Sequence, residues 1–231
     1  ISSGIDNLQI TYLNVEPIFS KYDLYSHSHF SIEMYYRLYI PDIFRNFDRV
    51  IYIDSDTLVR KDISSLLDID LNGKSIAAVR DCVMQGFVKY KVLSNKETHS
   101  LETKDYLKFY LGIENNNSYF QSGVLIFDIK KACTKIEEIH KILLSGKKYW
   151  FPDQDILNKV YNNDVFYLDP KWNVYHGNGD IETFFRDLPE NISNVYFNSR
   201  KNPFIIHFAG PRKPWNFYKI DFAEYFWAVA R

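Results

Sequence analysis

Five short apolar runs punctuate the chain: "VIYI" (50–53), "SIAAV" (75–79), "GVLIF" (123–127), "DVFYL" (164–168) and "PFIIHF" (203–208). Each has strand length, and polar or helix-spaced stretches separate most of them. Runs apolar on both faces and alternating with helices predict an α/β sheet covered on both sides. The segment "SIEMYYRLYI" (31–40) has apolar residues at helical spacing behind a serine able to cap. It predicts a helix that carries Arg37 and stops where Pro41 and Asp42 break the pattern. From 80 to 118 the chain is polar and turn-rich, with "NKETHS" and "ENNNS", which predicts helices and loops and no central strand. No repeat and no linker is visible, so residues 1–231 read as one domain.

Composition narrows the class without naming a partner. Hydrophobic residues make up 46% and charged residues 25%, with 28 basic against 29 acidic side chains. This excludes a disordered chain and a nucleic-acid-binding surface. The two cysteines, Cys82 and Cys133, form no C-x-x-C pair, so neither a disulfide framework nor a zinc site is expected, and a reducing, intracellular home is the default. No stretch approaches the ~18 to 20 continuous apolar residues of a membrane span, and "ISSGIDNLQI" (1–10) lacks the form of a signal peptide. Aromatic content is high, at 17%. Most aromatics in a globular protein are packing, so this adds little to a sugar-stacking reading.

The chemistry concentrates where the first run ends, in "RVIYIDSDTLVR" (49–60). Ligands in open α/β sheets collect at the carboxyl ends of strands, where Asp54 and Asp56 are expected. Residues two apart on a strand point the same way, so both carboxylates converge and repel unless a cation neutralises them. Hard divalent ions such as Mg2+ and Mn2+ suit such oxygens. Three other readings stand beside this one. Aspartate often caps a turn at a strand end. An aspartyl phosphatase also uses strand-end aspartates, but in the pattern D-x-D-x-T, whereas Thr57 follows Asp56 directly. An EF-hand loop would need a glycine at its sixth position and an acidic residue at its twelfth, and "DSDTLVRKDISS" has neither.

Further motifs follow in order: "YFQSGVLIFD" (119–128), "PDQDILN" (152–158) and "HFAGPRKPW" (207–215). Together with "YRLYIPDIFRNFDRVIYIDSDTLV" they resemble glycosyltransferase family 8, the family of glycogenin and the bacterial lipopolysaccharide glucosyl- and galactosyltransferases. The resemblance runs from about residue 25 to 218 and implies a GT-A type fold, a Rossmann-like mixed sheet with helices on both faces. It also implies a retaining transfer of glucose or galactose from a UDP-sugar to a carbohydrate or glycoconjugate acceptor.

By that resemblance, Asp54, Ser55 and Asp56 are the D-x-D motif, and His207 completes the protein's share of a Mn2+ site, with Mg2+ as the alternative ion. For a lone histidine a satisfied core position would be the first choice. Gly210 is implied to let backbone approach the diphosphate, and Lys213 to place a cation on it. Arg37 and Asp81 match positions around the donor sugar and nucleotide, against plain readings as a helix-surface arginine and a strand-end turn residue. Gln121, Ser122 and Gly123 stand where the family often has Asn-Ala-Gly, and the longer arm of Gln121 puts sugar identity in doubt. Asp153 and Gln154 match residues beside the donor anomeric carbon and the acceptor, and Asp153 also reads as a helix N-cap.

The family's first strand and uridine-binding turn are expected to lie outside this chain. An inactive nucleotide-sugar-binding module is therefore the alternative from another class. A cytoplasmic location is implied, peripheral to the inner membrane face if the aromatic C-terminal "FYKIDFAEYFWAVAR" touches lipid. With few basic residues there, a packing helix is expected instead.

Overall fold

The computed structural model describes residues 8–28, 30–177 and 181–230, so the first seven residues of "ISSGIDNLQI" lie outside the described residues. Seven strands are described: β1 (Arg49–Ile53), β2 (Thr57–Val59), β3 (Ile76–Arg80), β4 (Phe120–Asp128), β5 (Val165–Tyr167), β6 (Val174–Tyr175) and β7 (Ile205–His207). They form two sheets, ordered β1-β4-β3-β5 and β2-β7-β6. The larger sheet is mixed: β4 runs antiparallel to both β1 and β3, while β3 and β5 are parallel.

All five apolar runs contain strands, but they do not build one sheet, because "PFIIHF" leads the smaller one. The larger sheet is covered on both faces as expected, and the period of two assigns its side chains. Ile76, Ala78, Leu125 and Phe127 enter one core, and Ala77, Val79, Val124 and Ile126 enter the other. The first core packs helices Ile136–Leu144 and Pro152–Val160 against the sheet. The second is closed by Leu66, Leu71, Trp172 and Ile205. Strand β1 is only half-buried along its length. Residues 80–118 hold helices, turns and one isolated bridge, Leu93 to Glu102, with no strand beyond the end of β3.

Two local expectations need correction. Segment 31–43 is a 3-10 helix, Ile32–Tyr39, followed by a short α-turn, Ile40–Ile43, and the Ser31 side chain makes no capping bond. Pro41 does not end the helix; it sits in the first turn of Ile40–Ile43, where its missing N–H costs nothing. The 3-10 pitch of three residues per turn lets the segment bury Met34, Tyr35, Arg37, Leu38 and Tyr39 together.

At the C-terminus, helix Ala223–Val229 packs on the smaller sheet through Ala223, Phe226 and Trp227, as expected of a packing helix. No helix among the described residues is long and apolar enough to cross a membrane. Cys82 and Cys133 are both free.

Candidate active site

The carboxylate pair lies in the turn between β1 and β2, so strand alternation is not what aligns it. The turn is held from both sides. Asp54 N donates to Gly123 O at 2.8 Å, Thr57 Oγ1 donates to Asp54 O at 2.8 Å, and Phe208 N donates to Asp56 O at 2.9 Å. Pairing of Thr57 with His207 across β2 and β7 then carries the imidazole to the same place. Its Nε2 lies 3.2 Å from Asp56 Oδ1 and 3.6 Å from Asp54 Oδ2. Ligand atoms from Asp54, Asp56 and His207 all fall within 4.8 Å of one another.

Two carboxylates and one imidazole suit a hard or borderline divalent ion. The backbone beside them fits such a cradle. A Cβ on Gly123 would stand 2.3 Å from His207 Cε1 and 3.0 Å from Asp54 Oδ2, so only glycine leaves the cluster room. Ser55, between the two aspartates, is exposed.

Two cations flank the seat. Burial alone would raise the Asp56 carboxyl, but its contacts with His207 and Lys213 outweigh that and hold it well below the usual range. The Lys213 ammonium bonds both Asp56 Oδ2 and, at 2.7 Å, Phe208 O. Gly210, in the loop leading to it, adopts φ +85°, a conformation that suits glycine.

Arg37 is no surface arginine. It is 8% exposed and grips Asp54 with two nitrogens, Nη2 to Oδ1 at 2.8 Å and Nη1 to Oδ2 at 3.2 Å. Its Nε reaches Asp153 Oδ2 at 3.1 Å, and Nη1 also donates to Ser122 O and Oγ at 2.9 and 3.0 Å. Burial works against its charge, but Asp153 and Asp54 more than offset this and keep it protonated.

The guanidinium thus ties the cation seat to a second polar group on helix Pro152–Val160. Asp153 does not cap that helix; the N-cap is Phe151, and the Asp153 carboxylate turns to Arg37 and to Ser122 Oγ, at 3.1 Å. Burial pushes the Asp153 carboxyl up, and Arg37 opposes the shift.

Gln154 is held at both ends of its amide. Its Oε1 accepts from Ser122 N at 2.9 Å, and its Nε2 donates to Asp81 Oδ2 at 3.0 Å and to Tyr119 Oη at 3.3 Å. Asp81 is the strand-end turn residue of its plain reading, and it also meets Gln154. Its Oδ1 caps helix Cys82–Lys89 through Val83 N and Met84 N, at 2.8 and 3.0 Å, while Oδ2 faces Gln154. Burial raises its carboxyl. Gln121 is 1% exposed; its Nε2 lies 3.4 Å from Arg80 O, and its Oε1 has no hydrogen-bond partner among the described residues.

Sequence reasoning passed over two residues that shape this site. Asp155, the third member of "DQD", is fully buried and accepts from Tyr106 Oη and Tyr119 Oη, both at 2.6 Å, and from Phe151 N at 2.8 Å. An acid four residues after an aromatic, beside two functional neighbours, was the available signal. Asn173 is buried behind His207, its Oδ1 2.9 Å from Nδ1. Nothing in "PKWN" marks it.

The model of Glycosyl transferase family 8 matches residues 3–219. The chain is 29% identical over 210 residues to General stress protein A of Bacillus subtilis (strain 168), covering 84% of this chain and 64% of that protein. It is 29% identical over 192 residues to Lipopolysaccharide 1,2-glucosyltransferase of Escherichia coli (strain K12), covering 81% and 50%. Among solved structures it is similar to the WbbM bifunctional glycosyltransferase, with TM-score 0.80 and 43% identity over 85% of this chain and 35% of that one. It also resembles the galactosyltransferase LgtC in complex with donor and acceptor sugar analogues, with TM-score 0.57 and 25% identity over 81% and 62%. The chain therefore spans between about a third and two thirds of the length of these relatives, and its architecture is of the GT-A type. With motifs in family order, a shared fold and a family model matching nearly the whole sequence, the chain belongs to glycosyltransferase family 8.

Proposed function

We propose that this chain is one catalytic domain that moves a hexose, glucose or galactose, from a UDP-sugar to a hydroxyl of a carbohydrate acceptor with retention of anomeric configuration. The observation that carries the reading is the convergence of Asp54, Asp56 and His207 within 4.8 Å, joined through Arg37 to Asp153, Ser122 and Gln154. In this reading Asp54, Asp56 and His207 hold a divalent cation, Mn2+ by family resemblance. When bound, that cation supplies Lewis-acid stabilisation of charge on the departing diphosphate. Lys213 adds a second positive charge at the same place, and Gly210 lets the loop backbone approach it.

Arg37 orients Asp54 toward the seat and Asp153 toward the donor sugar. Gln154 faces the same region, but an amide clasped by Ser122, Asp81 and Tyr119 is a poor nucleophile. Attack by the acceptor on the face the diphosphate leaves is therefore the step these residues support, since a double displacement needs a free carboxylate. A sugar found covalently attached to Asp153 by mass spectrometry would replace this mechanism with a double displacement.

A bacterial surface glycan is the proposed acceptor class, after the lipopolysaccharide glucosyltransferase among the relatives. The test is UDP release from UDP-glucose and UDP-galactose, with Mn2+ and with chelator, for the parent chain and Asp56→Asn. Metal-dependent release abolished by the substitution is expected. UDP binding without release from either donor would favour the nucleotide-sugar-binding module.

A further inference from the structure

His207 offers only one ring nitrogen to the two aspartates. The other, Nδ1, lies 2.9 Å from Oδ1 of Asn173, which follows the 3-10 turn Pro170–Trp172 and precedes β6. Asn173 is 2% exposed, so water does not compete for that oxygen. An amide oxygen only accepts, so the bond requires the proton on Nδ1 and makes Nε2 the nitrogen that can offer a lone pair to a cation held with Asp54 and Asp56.

Without this contact the imidazole would favour the opposite arrangement. Nε2 lies 3.2 Å from an Asp56 oxygen, and a carboxylate there invites an N–H on Nε2, which directs no lone pair at the cluster. The structure also shows which end of the amide the position uses. Asn173 Nδ2 is buried and has no hydrogen-bond partner among the described residues, so there the side chain is oriented by its oxygen. The ring has little freedom to compensate. Gly123 stands against one side, and the Tyr175 ring lies 5.5 Å from it, centroid to centroid.

We propose that Asn173 is a positioning residue that selects the Nδ1–H tautomer of His207 and thereby sets the affinity of the Asp54–Asp56–His207 cluster for a divalent cation. The inference rests on the reading of that cluster as a cation seat. Partners of this kind behind a ligating histidine typically change metal affinity by about 10- to 100-fold.

The test is a Mn2+ titration of the full chain at a single pH, following free Mn2+ by electron paramagnetic resonance, together with 15N NMR of the His207 ring without metal. In the parent chain the Nδ1–H tautomer is expected. Asn173→Ala should weaken Mn2+ binding by about 10-fold or more and shift the ring toward Nε2–H. Asn173→Asp, which keeps an acceptor oxygen, should bind close to the parent. An Nε2–H tautomer in the parent would overturn the proposal, as would Mn2+ binding unchanged in Asn173→Ala, and either result would leave the transferase reading standing. A parent chain that binds no Mn2+ would remove both the cation seat and the role of Asn173. If Asn173→Ala does not fold, the parent tautomer and the Asn173→Asp affinity still decide.

Discussion

At Gly123 the β4 backbone passes so close to the site that a single methyl group would meet His207 Cε1 at 2.3 Å and Nδ1 at 2.6 Å. Gly123→Ala must therefore displace the imidazole, and a shift of about 1 Å at a catalytic centre can cost 10²-fold. We expect at least that loss in metal-dependent UDP release. Arg37 acts through its fork, which holds Asp54 by two contacts and Asp153 by a third. Arg37→Met would leave two carboxylates without their cation. A loss of about 3 to 5 kcal/mol in urea unfolding is expected, and Arg37→Lys should recover only part of it, because a single ammonium cannot reproduce the bidentate grip. Family resemblance implied a site role for Arg37, but not that it would be buried. Burial follows from the 3-10 pitch of its segment, which no local propensity announces.

Helix Pro152–Val160 shows how an element is fixed by polar contacts as well as apolar ones. Asn158 donates to Phe120 O and accepts from Phe120 N, both at 2.8 Å, locking the helix to the first residue of β4. Asn158→Ala would strand two buried backbone groups, and a cost of about 2 to 4 kcal/mol is expected in denaturant unfolding.

Asp155 on the same helix is pushed up to about 7 by burial, against the opposing bonds from Tyr106 and Tyr119. The folded chain therefore holds this proton at pH values where the unfolded chain, with an ordinary carboxyl near 4, has lost it. Its contribution to stability is fully present below about pH 4 and is lost as pH rises toward about 7. In Asp155→Asn, which cannot titrate, the difference in Tm between pH 4.5 and pH 8 should shrink relative to the parent.

Across the whole molecule, the site gathers a turn after β1, the middle of β4, the end of β7 and the start of a helix. An ion bound to Asp54, Asp56 and His207 would link the two sheets and bind only the folded chain. At 100-fold excess over Kd, such a ligand stabilises by about 2.7 kcal/mol. Mn2+ should thus raise the Tm by several degrees, and His207→Ala should abolish the rise while folding normally in chelator. A rise that persists in His207→Ala would place the ion elsewhere.

Much of the site was legible because family chemistry requires particular residue types in a particular order. Two aspartates at a strand end, a glycine in the neighbouring strand, "DQD" at a helix start and a histidine opening "HFAGPRK" are local patterns, and strand-length apolar runs located five of the seven described strands. Strands β2 and β6, at three and two residues, lie outside those runs.

What only the tertiary structure decided is which of these pieces meet. The register that sets Thr57 opposite His207 aligns the histidine with the aspartates, and packing against Arg37 turns Asp153 away from the cap its position suggested. Asn173 meets His207, and Asp155 meets Tyr106 and Tyr119, through residues distant in the chain. Composition and spacing are properties of neighbours along the chain, so they specify what each segment can offer. Hydrogen-bond partners and burial are set by long-range packing, which decides which offers are taken up.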